Sequence, residues 1–138
     1  MKHAALAIAA LVLANSALAA LPDLPQSALR QEATEVLVGT VVSVLTTQER
    51  RDEHWVDQLY EIKVAVEAVE KGAGVQPGLP VIVHGRQVLE RPQGWAGPGG
   101  VYAIEGARVG VKIRLYLLDD KGTMNVLTPN GLEILGAP

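Results

Sequence analysis

From Glu35 to Leu45 the chain reads EVLVGTVVSVL, and Val36, Val38, Val42 and Val44 recur at period two with Thr40 completing the row. A β-branched alternation of this kind predicts a strand, and Gly39 within it predicts a bulge or a close approach of another backbone. Leu59 to Lys71 repeats the signal more regularly: Tyr60, Ile62, Val64 and Val66 alternate with Glu61, Lys63, Ala65 and Glu67. Between these runs, Thr46 to Asp57 is charged and polar and is expected to be a connection. Gly72 to Gly78 reads as a turn region, Val81 to Val83 as a short third strand ending at His84 and Gly85, and Val101 to Ile104 as a brief extended piece. Val109 to Leu118 alternates again, with Val111, Ile113, Leu115 and Leu117 on one face and Lys112, Arg114 and Tyr116 on the other. Asp119 to Gly122 then predicts a hairpin returning through Thr123 to Leu127, and a turn at Thr128 to Gly131 leads into a last strand, Leu132 to Leu135. Before the first strand, Ser27 to Ala33 has good helix formers with Ser27 placed as N-cap.

Five to six short strands and one short N-terminal helix in a chain of this size predict a mainly β protein, a small antiparallel barrel, with a two-sheet sandwich as the alternative. The amino terminus is not counted in that fold. Lys2 and His3 precede the apolar run Ala4 to Leu13, and Ala17-Leu18-Ala19 has the small-x-small pattern of a cleavage site. Residues 1–19 therefore read as a secretory signal peptide, 20–34 as a lead and helix, and 35–138 as a single barrel domain. The apolar run is shorter than the roughly 20 residues of a membrane span, so no membrane anchor is expected after cleavage. The expected location is periplasmic or extracellular.

Composition changes this picture in two ways. With Lys2 removed, 11 basic residues stand against 15 acidic ones, which argues against nucleic acid as a partner. There is also no cysteine, so no disulfide supports the core.

The segments LRQEATEVLVGTVVSV (Leu29 to Val44) and YEIKVAVEAVEKG (Tyr60 to Gly72) resemble the start of the netrin-like modules, OB-fold barrels that include the tissue inhibitors of metalloproteinases. Those modules run from a helix into a strand of the form A-D-V-V-x-x-G-x-V and then carry Y-x-V-x-V-x-x-V-x-K-G. Arg114 to Leu118 (RLYLL) and Asn125 to Leu135 (NVLTPNGLEIL) are similar to the closing hairpin and tail of bacterial exported domains of this type. The resemblance implies an OB-like barrel over Leu29 to Leu135 and a binding scaffold. In the animal inhibitors an amino-terminal cysteine chelates the target's zinc; this chain has none, and that mechanism does not carry over.

Catalytic chemistry finds little support. His54 and His84 lack a metal-binding spacing, and a zinc site would need a carboxylate such as Glu53 or Asp57 to join them. The pairs Asp52-Glu53 and Asp119-Asp120 fall in polar loops, and neither Ser27 nor Ser43 has a nucleophile frame. The glycine-rich runs GAGVQPG and GWAGPGG lack the Gly-Lys-Ser/Thr ending of a phosphate loop. No cofactor, metal or catalytic residue is therefore assigned. Trp95, in GWAGPGG, reads as a plug for one end of the barrel, as a contact residue for a protein or glycan partner, or as a simply exposed side chain. Trp55, His54 and Tyr102 join it as candidate binding residues. The expected function is a non-catalytic exported binding or accessory module acting through its loops on another protein. A proteinase inhibitor working by loop insertion and a secreted metal-dependent enzyme using His54 and His84 are the alternatives.

Overall fold

The computed structural model describes residues 22–95 and 99–138; the expected signal peptide lies outside them. One helix, α1 (Gln26–Glu32), precedes six strands: β1 (Glu35–Arg50), β2 (Val56–Lys71), β3 (Pro80–Glu90), β4 (Lys112–Asp120), β5 (Thr123–Val126) and β6 (Leu132–Gly136). Five of them close into an OB-like barrel in the order β1-β2-β3-β5-β4, with β4 pairing back to β1. The barrel, not the sandwich, is what the chain forms. All contacts in the ring are antiparallel except β3 with β5, a short parallel junction at Val83–Met124 and His84–Asn125. Outside the ring, β6 continues the edge of β4 that carries β5, pairing along Lys112 to Leu115.

The barrel interior is aliphatic: Leu37, Val41, Ile62, Val64, Val83, Ile113, Leu115 and Leu117 are all buried in one cluster. The inward rows of β2 and β4 are those the alternation predicts. β1 departs from it, because register shifts at Val36/Leu37, Val38/Gly39 and Val41/Ser43 change the phase of its side chains. Leu37 and Val41 face inward, while Val42 is 46% exposed. At Gly39 a Cβ would collide with the carbonyl of Ala65, so the close approach expected there is present.

Val36 is buried on the other side, in a second cluster with Leu29, Ala33, Tyr116 and Leu127. This is the seat of α1, and it explains why Tyr116 is buried although it lies on the nominally polar face of β4. The helix is capped two residues earlier than expected: Pro25, not Ser27, occupies the cap position, and its carbonyl accepts from the amides of Ala28 and Leu29. Asn130 holds the entering chain by pairing with both the amide and the carbonyl of Leu24.

Glu70 ties this layer together, contacting Arg30 of α1 at 2.8 Å and Arg114 of β4 at 3.0 Å. Partial burial pushes its carboxyl upward, but hydrogen bonds from Arg30 and Arg114 outweigh that and hold it below the usual range. A depressed pKa contributes stability above the unfolded value of about 4.3 and loses it as pH falls through the lower folded value. Glu70→Gln is expected to cost about 0.5 kcal/mol at pH 7, with the deficit shrinking as pH falls below the unfolded value and through the lower folded one; urea midpoints across that acid range check this.

Two connections differ from the sequence expectation in ways that shape the surface. β1 runs on to Arg50 and β2 begins at Val56, so much of the polar segment Thr46 to Asp57 is a projecting two-stranded ribbon. Its residues are polar because both faces of its β1 arm meet solvent. β3 extends past His84 and Gly85 to Glu90, paired with β2 throughout. Where an extended piece was expected at Val101 to Ile104, the chain turns through Ala103 (φ 59°) into a 3₁₀ turn, Ile104–Gly106. Ile104 and Val101 join the barrel core, and Gly85 has no side chain because Ile104 occupies that space.

Candidate functional site

The tip of the β1–β2 ribbon is built by Asp52, whose Oδ1 accepts from the amides of His54 and Trp55. Arg51 donates its amide to the carbonyl of Trp55, closing the turn. Asp119 does similar work in the β4–β5 turn, accepting from the amide of Gly122. One carboxylate of each paired-acid motif is thus a turn-former. The tip holds Trp55 against Trp95 from the loop after β3, ring centroids 4.7 Å apart and planes at 77°. Such edge-to-face pairs contribute about 0.5–1.5 kcal/mol beyond their burial. The guanidinium of Arg51 lies 4.5 Å from the Trp55 ring centre and that of Arg91 lies 5.6 Å from the Trp95 ring centre.

Asp57, the second residue of β2 and two residues after Trp55, has a side chain only 2% exposed. Arg51 grips it with two donors, Nε at 2.8 Å from Oδ2 and Nη2 at 3.1 Å from Oδ1. Arg86, on β3, brings Nη1 to 3.7 Å from Oδ2 and keeps 58% of its side chain exposed. A cleft of about 220 Å³ opens here, lined by Arg51, Trp55, Arg86, Val88, Trp95, Gly100 and Thr128. Gly100 (φ 102°) packs directly on the Arg86 carbonyl, where any Cβ would collide. That packing lets the chain run beside β3, with Val88 donating to Gly99 and Val101 donating to Arg86.

A second cleft of about 490 Å³ shares Arg86 and Thr128 with the first and continues past His84, Thr123 and Asn125. It lies along the short β3–β5 junction. Arg86 and Thr128 line both clefts.

The structure thus brings Trp55 and Trp95 together and does not place Trp95 in the barrel core; Ile104 has that role. His54 stands exposed at the ribbon tip, Nε2 3.7 Å from Glu53. His84 pairs across the sheet with Glu61, five residues along β2 from Val56, so about 16 Å of strand separates it from the ribbon end that carries His54. Asp57 is committed to two arginines, and among the described residues no group of three or more potential metal ligands converges. Tyr102 donates its amide to Pro129 and lines neither cleft. Sequence reasoning missed Arg51 and Arg86 and took Asp57 for part of a loop. One signal was present: Asp57 follows Trp55 by two residues, at the very start of the strand that the aromatic precedes.

Comparisons of the chain with known protein families, with characterised proteins and with solved structures return no match. Among the described residues, no helix is long and apolar enough to cross a membrane.

Proposed function

We propose that this chain is an exported, non-catalytic binding module of netrin-like type that docks another protein through the cleft between Trp55 and Trp95. The observation that carries the reading is the aromatic pair itself. Two tryptophans from separate loops, half-buried and framed by arginines, form the kind of anchor that dominates protein interfaces. A glycan is the less favoured occupant, because stacking a sugar needs a free ring face. Here one ring presents its edge to the other, and each has a guanidinium over one face. Insertion of the ribbon tip into a protease remains a special case of the same docking.

The test uses immobilised protein and the double variant Trp55→Ala/Trp95→Ala, each exposed to exported proteins of the producing cell. A partner retained by the wild type and lost by a still-folded double variant is the expected result. Equal retention by both would remove the reading.

A further inference from the structure

We propose that the cleft recognises an extended acidic segment, an apolar side chain seated at the Trp55–Trp95 pair and a carboxylate held by Arg86; this rests on the docking reading above. The argument begins with the unequal use of the two arginines. Arg51 gives two donors to Asp57 and lays its plane near Trp55. Arg86 has five N–H donors, yet among the described residues its one charged contact, at 3.7 Å from Asp57, is beyond hydrogen-bond length, and its side chain is 58% exposed and lines both clefts.

Charge sets the class of ligand. Arg51, Asp57 and Arg86 sum to one positive charge, and the one carboxylate in that group is buried, so the cleft presents only cationic side chains among its charges. Arg91, beside the Trp95 ring, adds a further cation at the rim, so the surroundings of the cleft suit an acidic segment. A guanidinium fork binds a carboxylate through two parallel donors.

Spacing sets the shape. His84, Arg86 and Val88 are alternate residues of β3 and line the two clefts in succession. Alternate side chains on a strand recur every 6.6 Å or so, and an extended peptide lying along β3 repeats at the same interval. An apolar residue at the tryptophans and an acidic residue two positions away therefore match the groove.

The chain's two tryptophans both line this cleft, so tryptophan emission, excited at wavelengths that tyrosine does not absorb, reports on it. The probes are acetyl-Ser-Leu-Ser-Glu-Ser-amide and its Gln counterpart, titrated into the full protein, with oligogalacturonate as a glycan control. The Glu peptide is expected to give a saturable change that weakens as salt rises and to bind at least tenfold more tightly than the Gln peptide. Arg86→Gln should lose that preference, and Arg86→Lys should retain part of it. Equal affinity for the two peptides, no saturation with the Glu peptide, or saturation by oligogalacturonate alone would overturn the proposal. Because the Glu/Gln comparison is made on the wild type, it holds even if the Arg86 variants fold poorly. A partner captured through the tryptophans but indifferent to Arg86 would sink the carboxylate assignment and leave the docking reading standing.

Discussion

Asp57→Ala is expected to lower the stability of the protein by about 2–3 kcal/mol, which is at or just below the range for removing one partner of a buried ion pair. The carboxylate is almost wholly enclosed, while Arg51 and Arg86 keep solvent access and can rehydrate once it is gone. That access keeps the loss from reaching the upper end of the range. The effect should not be confined to stability. Arg51 is fixed both to Asp57 and to the Trp55 ring, so losing the carboxylate frees the guanidinium and loosens the aromatic pair. Urea unfolding followed by tryptophan emission checks both: a lower midpoint, with a red-shifted folded baseline. Asp57→Asn keeps the shape and one acceptor and should fall between the two. A loss under 0.5 kcal/mol or so, with an unmoved emission, would show that the pair is dispensable.

The ring of strands was legible because most of it obeys a simple alternation. On β2 and β4 one face meets the core along much of the strand, and the inward rows Ile62–Val64–Val66 and Ile113–Leu115–Leu117 follow directly. β1 was misread in phase, since a bulge changes the face of each later residue and nothing in a run of valines marks where it falls. Only Gly39 gave a sign, and there the close approach to Ala65 is real. Tyr116 lies on the face of β4 that the alternation predicts, but its burial there was not legible: the seat of α1 depends on a contact between distant segments, to which strand periodicity is blind. The ends of β1 and β3 were placed short because a ribbon exposed on both faces is as polar as a loop.

The site was half legible. Rare aromatics in polar loops pointed to Trp55 and Trp95, and the fold supplies the reason they matter together. The ribbon tip and the loop after β3 lie side by side because β2 and β3 pair to Val56–Glu90. The arginines were not legible, because an arginine before a loop or on an exposed strand is ordinary until a buried carboxylate is found under it. His54 and His84 already lacked a ligand spacing in the sequence, and the register adds the distance: His54 lies in the turn before β2, His84 opposite Glu61 on β3.

The closure of the barrel provides the second large effect. Ile104→Ala is expected to cost about 3 kcal/mol, within the range for truncating a fully buried isoleucine. Ile104 enters the core from a short 3₁₀ turn, and its Cδ1 fills the space left by Gly85, so little around it can collapse into the vacated volume. Trp95→Phe, by contrast, keeps an aromatic edge against Trp55 in a half-buried position and should cost less than about 1 kcal/mol. The pair of measurements decides which residue closes the barrel. A larger loss for Trp95→Phe than for Ile104→Ala would return the tryptophan to a structural role and weaken its assignment as a docking residue. The expected order leaves Ile104 as the plug and the two tryptophans available for a partner. Thermal or urea midpoints of the two variants beside the wild type make the comparison, and a 3 kcal/mol loss is a large part of the 5–15 kcal/mol that stabilises a typical domain.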